Sequence, residues 1–330
     1  MFKGVENRMK NIRNGLIYYI RLIRGKNRRK MTPNANLQGF KNLLKYSIAS
    51  VFVKPSEKNQ HYCPVNVLLI ANAECGKTRL LSEIWCKKVY KTLDFSPKLI
   101  KDSIIPKLVS KEIGFLVVPD LIQMLGHKKT TISSTMGFLN ALVEEGVKDN
   151  DFYGLEFHLQ EKVNVGLISA ITTNEFYQNV IKWNSIGFLH RILPISYDYA
   201  EETILQIHNS ISSGEMFEDI SKVDLTKKIN PVPIKIGKEF ASDILLEVYR
   251  TRERLSEFII KSYKGSKTRN QKGIKFDIKG FRLHDRFRQL ARAICFLDSK
   301  GKRREVNADD IMKLKEMAKC INFPNSKKII

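Results

Sequence analysis

The chain has 330 residues, of which 43% are hydrophobic, and it carries 57 Lys and Arg against 34 Asp and Glu. This length and composition predict one large or two medium folded domains, and they exclude a chain that is disordered throughout. The formal net charge of +23 exceeds what solubility requires and favours a polyanionic partner such as nucleic acid.

The five cysteines give no sign of a structural metal or of disulfides. None of them lies in a Cys-x-x-Cys motif or at Cys/His ligand spacing, which fits a reducing compartment. The apolar residues 15–20 are followed by Arg21 and Arg24 and are too short to span a bilayer. We therefore expect no transmembrane segment or signal peptide. The expected location is the cytoplasm, or the host cytoplasm if a virus or mobile element encodes the protein.

Residues 1–32 are predicted to form a basic N-terminal arm. Residues 1–30 contain ten Lys and Arg and a single Glu. Such an arm can contact nucleic-acid phosphates, lie on an anionic membrane or be a solvated tail. The expected partner is nucleic acid, with no membrane partner. Residues 37–53 then predict a helix that leads into the next domain.

A phosphate-binding loop is predicted directly after the apolar run of residues 65–70. It matches the pattern G-x-x-x-x-G-K-[ST] except at its first position, and its residues are Ala71, Asn72, Ala73, Glu74, Cys75, Gly76, Lys77 and Thr78. Inward-facing backbone N–H groups, a lysine and a hydroxyl suit a triphosphate and its Mg²⁺. The plainer interpretation is an ordinary strand-turn-helix in which Gly76 is a bend and Lys77 is solvated.

The elements that follow predict an α/β core over residues 33–205. Helical spacing indicates helices, and continuous apolar runs indicate buried strands. The predicted helices cover residues 78–91 and 132–145, and the predicted strands cover residues 115–118, 163–171 and 192–197. Strands that alternate with helices, with polar groups at the strand ends, are typical of a three-layer core with a parallel sheet.

Residues 206–330 are predicted to form a small, basic, all-α domain after a linker at Pro231-Val232-Pro233. Apolar residues recur at helical spacing near residues 201–213, 238–262, 282–297 and 308–320. Residues 261–305 carry fifteen Lys and Arg against four Asp and Glu. This charge is either a solvated face or a nucleic-acid contact.

The phosphate loop is followed along the chain by motifs at residues 115–120, 172–174, 187–194 and 282–293. In this order, the motifs resemble those of the AAA+ P-loop ATPases. Within that family they are most similar to the minichromosome-maintenance type of replicative helicases and their phage and mobile-element relatives. The resemblance covers roughly residues 40–320 and is strongest at the phosphate loop. It implies an ASCE/AAA+ core with a helical lid, ATP and Mg²⁺ as cofactors, and a homo-oligomeric ring that is expected to be a hexamer.

The resemblance also implies roles for individual residues. Asp120, at the end of a strand that looks like a Walker B segment, would hold Mg²⁺ together with Thr78. Asn174 would be sensor 1, Arg191 would be an arginine finger that acts on a neighbouring subunit, and Arg282 would be sensor 2 in the lid. Each has a plainer interpretation: a helix cap, a surface turn, a surface salt bridge and a basic amphipathic helix, respectively.

Two further features bear on function. The alternating residues 152–162 lie where these helicases have a β-hairpin in the ring pore, which implies that Gln160 or Lys162 lies near its distal part. The family has two adjacent acids at the Walker B position, whereas Asp120 here lies between Pro119 and Leu121.

These features favour a DNA-acting ATPase, either a replicative helicase or a helicase loader. The alternative is a nucleotide-gated DNA-binding assembly factor with slow or no hydrolysis, such as an initiator, a transposition regulator or a defence protein. A metabolic P-loop kinase would leave the basic charge unexplained.

Overall fold

A computed structural model describes residues 38–324 except 57–61, 83, 85, 94, 126–128, 153–154, 200, 214–229 and 265–278. All described residues belong to one compact unit, residues 36–330. The predicted basic arm, residues 1–32, lies outside the described residues. Among the described helices, none has both the length and the apolar character needed to cross a membrane.

Strands and helices alternate along most of the described chain. In chain order, the strands are β1 (Val53–Pro55), β2 (Val67–Ala71), β3 (Val89–Lys91), β4 (Phe115–Val118), β5 (Val147–Phe152), β6 (Leu155–Val163), β7 (Gly166–Thr172), β8 (Leu193–Ser196) and β9 (Val232–Ile234). The helices are α1 (Gln38–Ala49), α2 (Lys77–Ser82), α3 (Pro97–Leu99), α4 (Ile105–Val109), α5 (Leu121–Leu125), α6 (Lys129–Asn140), α7 (Thr173–Ser185), α8 (Glu201–Ser212), α9 (Ala241–Lys264), α10 (Phe281–Asp298) and α11 (Ala308–Ala318).

Five of the strands form one parallel sheet in the lateral order β3-β4-β7-β2-β8. Every residue of β2 and β4 is buried, because their runs of Val, Leu, Ile and Phe are covered on both faces. Pro194 has no backbone N–H to donate within β8, which is tolerated because β8 is an edge strand of this sheet. The predicted α/β class with a parallel sheet is confirmed, and the covering of both faces is compatible with three layers.

The chain leaves the neighbouring strands β2 and β7 in opposite directions. After β2 it crosses to β3 at one edge of the sheet, and after β7 it passes over β2 to β8 at the other edge. In open parallel sheets, such a divergence opens a crevice beyond the carboxyl ends of the two strands, where ligands bind. The topology therefore directs attention to the residues that follow Ala71 and Thr172.

The helix predicted over residues 78–91 is shorter than expected. Helix α2 covers Lys77–Ser82, and Val89–Lys91 is instead the edge strand β3, paired with β4. Val89 and Tyr90 fit the helical spacing, but β-branched and aromatic residues also suit a half-buried sheet edge. Tertiary pairing determines the outcome here.

The predicted linker Pro231-Val232-Pro233 is also wrong, because its last two residues belong to a strand. Strand β9 pairs in parallel with β1, with Val53 opposite Val232 and Pro55 opposite Ile234. Proline is accepted in this position because a two-stranded sheet consists of edge strands only. Residues that resemble a linker thus tie the C-terminal part of the chain to the segment after α1.

The alternating residues do form an antiparallel hairpin, β5 and β6. Lys162, however, precedes Val163, which pairs with Val147 at the base of the hairpin, so its predicted distal position is wrong. Residues 147–163 carry four Asp and Glu against two Lys. The hairpin is therefore net acidic.

The helices predicted for the C-terminal third are present as α8 to α11. Helix α10 packs on the segment after α1, where the buried Gln289 donates hydrogen bonds to the carbonyls of Ser50 (2.8 Å) and Val53 (2.7 Å). Ile321 forms an isolated antiparallel bridge with Ile195 of β8. The domain boundary predicted at residue 205 stays a prediction.

Candidate functional site

Polar residues follow the central strands at the carboxyl ends of these parallel strands, which we call the carboxyl edge of the sheet. The loop of residues 72–76 follows β2, Asp120 follows β4, Thr172 ends β7, and Asp198 follows β8. Ala71 is directly opposite Thr172 in the β2–β7 register, so these two strand ends are adjacent. Parallel pairing therefore brings the predicted residues 71–78, Asp120 and Asn174 to one edge of the sheet, at the divergence of β2 and β7.

The loop after β2 has the backbone that its sequence requires. Gly76 has φ +71°, in the left-handed region that glycine adopts without steric cost, and Glu74 has φ +63°. The N–H of Leu80 then donates to the Gly76 carbonyl at 2.8 Å as α2 begins. Ala71 is a buried strand residue without a positive φ, so alanine in place of the usual first glycine imposes no backbone strain.

Three residues after β8 hold this loop, and the sequence analysis missed them. Asp198 accepts hydrogen bonds from Asn72 Nδ2 (2.9 Å) and Cys75 Sγ (3.7 Å). The hydroxyls of Tyr197 (3.0 Å) and Tyr199 (3.3 Å) donate to the Cys75 carbonyl. Burial raises the pKa of both phenols, that of Tyr199 to about 12, so both remain donors near neutral pH. Their sequence signal is their position directly after a parallel strand.

Lys77 lies over the loop. Its Nζ donates to the carbonyls of Ala71 (2.9 Å) and Asn72 (2.5 Å). Burial lowers the pKa of Lys77, and the nearby Cys75, Glu175 and Asp120 oppose that shift. The Lys77 side chain is thus half-buried against the loop. Thr78, next to it, is exposed.

Asp120 caps the helix after its strand. Its Oδ1 accepts hydrogen bonds from the N–H groups of Ile122 (3.0 Å) and Gln123 (3.2 Å) at the start of α5. Its Oδ2 has no partner among the described residues. The cap that we weighed as the plainer interpretation is therefore present, and one oxygen of the carboxylate is still available.

Asn174 and Glu175 lie in the first turn of α7. Thr172 is the N-cap residue, and it forms a capping box with Glu175. Glu175 Oε2 accepts from the hydroxyl (2.6 Å) and the N–H (3.3 Å) of Thr172. Asn174 is exposed. Like the three residues after β8, Glu175 is a polar residue at this edge that the sequence analysis missed.

Arg191 and Arg282 lie at the amino ends of the strands, opposite the carboxyl edge, and both contact the carboxylate of Glu144. Glu144 Oε2 is 2.6 Å from Arg191 Nε, an ion pair without hydrogen-bond alignment, and Glu144 Oε1 accepts from Arg282 Nε at 2.5 Å. The side chain of Glu144 is 9% exposed, that of Arg191 is 13% exposed and that of Arg282 is 42% exposed. Arg191 therefore does form a salt bridge, but a largely buried one and not the surface pair that we weighed, and Arg282 is the more accessible arginine.

Buried Asn66 fixes this second edge. Its Nδ2 donates to the carbonyls of Val143 (3.1 Å) and Arg191 (3.0 Å), and its Oδ1 accepts from the N–H of Leu167 (2.9 Å). Because Asn66 precedes β2 and Arg191 precedes β8, both lie at the amino ends of the strands. Asn66 and the first loop residue, Asn72, flank the five residues of β2 and are therefore about 20 Å apart along the strand.

The basic residues around Glu144 influence the pKa of His190. Burial lowers the pKa of His190, and the charges of Arg282 and Arg191 lower it further, so the ring is neutral near pH 7. Arg286, one turn after Arg282, is 1% exposed, and its Nε and Nη2 have no hydrogen-bond partner. Arg286 nevertheless lines the same pocket as His190 and Arg282.

Among the described residues, no group of three or more His, Cys, Asp and Glu side chains could hold a metal ion by itself. A Mg²⁺ ion that is shared with phosphates needs only one or two carboxylates from the protein. Asp120 Oδ2 and the Thr78 hydroxyl are of the type that such an ion uses.

Comparisons with known proteins leave these residues to be interpreted on their own geometry. The chain matches no protein-family model, and the search of curated proteins gives no match.

Proposed function

We propose that the protein binds ATP and Mg²⁺ at the carboxyl edge of its sheet and hydrolyses ATP while acting on DNA. In this proposal it is a ring-forming replicative helicase or helicase loader of the AAA+ type. One observation carries the proposal. The Lys77 loop, the free oxygen of Asp120 and the first turn of α7 lie side by side where β2 and β7 diverge.

The chemistry of this edge suits a triphosphate. The left-handed Gly76 lets the backbone turn tightly before α2, and Lys77 adds a positive charge to the loop. The hydrogen bonds of Lys77 to two backbone carbonyls can be exchanged for stronger ones to phosphate oxygens. Bound Mg²⁺ would neutralise phosphate charge, with Thr78 and Asp120 as its protein ligands.

The separation of the arginines from this edge supports a site between subunits. Arg191 and its neighbour Arg282, which share Glu144, lie at the amino ends of the strands, whereas Lys77 lies at the carboxyl ends. A head-to-tail assembly would bring the arginines to the nucleotide of the next copy, and such contacts close into rings. Arginine supplied in this way stabilises charge on the transferred phosphoryl group.

DNA contact is proposed for the basic regions and not for the hairpin. The overall charge of +23 suits phosphate binding, whereas residues 147–163 are net acidic. Within the described residues, Lys300, Lys302 and Arg304 form a basic turn between α10 and α11, and Lys300 and Lys302 are exposed. DNA binding through phosphates would weaken steeply with salt and show little sequence preference.

A second candidate is a nucleotide-gated DNA-binding assembly factor with slow or no hydrolysis. The observation that favours it is the single acid in Pro119-Asp120-Leu121, with half of its carboxylate used as a helix cap. Steady-state ATP turnover with and without single-stranded DNA separates the two. Strong stimulation by DNA is expected of the motor and not of the switch.

The proposed site is tested with Lys77→Ala. We expect the affinity for ATP–Mg²⁺ to fall by about 100-fold, because a charge-assisted contact worth about 2–3 kcal/mol is lost. Lys101→Ala is the control, since Lys101 is an exposed lysine outside the loop of residues 71–78. Binding of a fluorescent ATP analogue to the full chain is the measurement. Wild-type affinity in Lys77→Ala would show that the loop is not the phosphate site.

A further inference from the structure

ATP hydrolysis needs a group that orients the attacking water, and the strand end at Asp120 supplies only one acid. Other carboxylates must therefore be sought at the same edge. In the described part of the chain, Glu74, Glu175 and Asp198 follow strands β2, β7 and β8 there. Asp198 is already committed to the loop, because both of its oxygens accept hydrogen bonds.

Glu175 lies between the two halves of the proposed ATP site. It is in the first turn after β7, and β7 lies between β2, which carries the Lys77 loop, and β4, which carries Asp120. Burial lowers the pKa of Lys77, and the charges of Glu175 and Asp120 oppose that shift, which is consistent with their lying near its ammonium group.

The capping contacts leave one oxygen of Glu175 available. Only Oε2 accepts hydrogen bonds, both from Thr172, and Oε1 has no partner among the described residues. These bonds also fix the direction of the side chain, since Thr172 is itself fixed by pairing with Ala71. Glu175 thus resembles Asp120 in using one oxygen for a helix cap and keeping the other.

We propose that Glu175 is the catalytic residue that accepts a hydrogen bond from the attacking water and takes up its proton. This inference rests on the proposed ATPase function. The water oxygen forms a bond to the γ-phosphorus, and the bond from that phosphorus to the bridging β–γ oxygen breaks. ADP leaves with the bonding electron pair, and the proton passes through the Glu175 carboxylate to inorganic phosphate. Asp120 then serves Mg²⁺ alone.

The capping box offers a direct way to separate catalysis from structure. Glutamine serves as well as glutamate at this position of a capping box, because its amide oxygen still accepts from Thr172. A carboxamide cannot take up a proton from water. Glu175→Gln therefore keeps the structural contacts and removes the proposed chemistry.

The experiment compares Glu175→Gln with wild type and with Glu112→Gln, an exposed glutamate in a distant turn. ATP binding, thermal unfolding and steady-state turnover are measured on the full chain with Mg²⁺ and single-stranded DNA. We expect turnover of Glu175→Gln to fall by about 100-fold or more, with affinity for ATP within about threefold of wild type. Glu112→Gln should behave as wild type, and Glu175→Asp, which keeps the acid, should retain more turnover than Glu175→Gln.

Four results would overturn the inference. The first is a loss of less than about tenfold in Glu175→Gln. The second is an equal loss in Glu175→Asp and Glu175→Gln, which would indicate a structural role. The third is a loss in Glu74→Gln in place of Glu175→Gln. The fourth is a wild-type protein that binds ATP without hydrolysing it, which leaves the proposed nucleotide site intact. Failure of wild type to bind ATP would instead remove the proposed function itself.

Discussion

Asn72 donates a hydrogen bond of 2.9 Å from its Nδ2 to Oδ2 of Asp198, which joins the loop after β2 to the residue that follows β8. The two residues are 126 positions apart in the sequence. Their contact is possible because β2 and β8 are neighbouring parallel strands that end at the same edge. The shape of the proposed phosphate loop therefore depends on residues after a strand that lies more than 100 residues further along the sequence.

Asp198→Ala should weaken ATP binding by about tenfold. The variant removes the partner of Asn72 and of the Cys75 thiol, and about 1.4 kcal/mol of loop ordering is then lost from the binding free energy. Titration with a fluorescent ATP analogue measures the effect. Asp149→Ala, on the hairpin, removes an exposed pair with His158 and serves as the control. Unchanged affinity in Asp198→Ala would mean that the loop holds its shape without this contact.

Arg191→Ala should leave ATP binding by the monomer intact and lower turnover of the assembled protein by about 1,000-fold. The reason is that Arg191 lies at the opposite edge of the sheet from Lys77 and would act on the next copy. Dilute protein reports binding, and turnover is followed as concentration rises. Lys235→Ala, which removes an exposed pair with Glu305, is the control. Loss of ATP binding by the Arg191→Ala monomer would contradict a role between subunits.

Asn66→Ala should destabilise the protein by about 3 kcal/mol. Asn66 is fully buried, and its removal leaves the Leu167 N–H and the carbonyls of Val143 and Arg191 without a partner. Chemical denaturation measures the loss. Asn164→Ala removes a single longer bond of 3.3 Å to the Tyr62 carbonyl, and it should cost about 1 kcal/mol or less. Equal losses of unfolding free energy in the two variants would show that the buried hydrogen bonds of Asn66 stabilise the protein no more than the single bond of Asn164.

The affinity for ATP should fall on the alkaline side of neutrality. Burial lowers the pKa of Lys77 below its usual 10.5, so the free protein loses this positive charge as the pH rises through the lowered pKa. Binding in that range takes up a proton. Affinities measured between about pH 7 and 10 test this, with Lys77→Arg as the control because arginine stays charged. A similar decline in Lys77→Arg would assign the effect to another group.

The sequence predicts the strands of the sheet better than it predicts their surroundings. β2 and β4 are continuous apolar runs, which signal burial on both faces, and they are found where expected. The helix predicted to continue to residue 91 is wrong there, because Val89 and Tyr90 are compatible both with helical spacing and with a strand at the side of the sheet. Pro231 and Pro233 resemble a linker because proline has no N–H to donate, yet an edge strand does not require one.

The candidate site is predictable only where its residues are contiguous. The loop of residues 71–78 is a local pattern, and Gly76 has the left-handed backbone that the pattern requires. Glu175 and Asp198 are missed because their relevance depends on the lateral order of the strands, which no local pattern specifies. The shared contact of Arg191 and Arg282 with Glu144 depends on the packing of elements far apart in the chain.

The position of Lys77 and Arg191 at opposite edges of the sheet has a genetic consequence in the proposed ring. A copy with Lys77→Ala still carries an intact arginine edge, and a copy with Arg191→Ala still carries an intact phosphate loop. Each is inactive alone, but in a mixed assembly the sound halves meet at some of the junctions. Two defective alleles expressed together would therefore restore part of the activity. A copy with both changes would supply neither half of a junction and would have a dominant-negative effect when expressed with the normal gene.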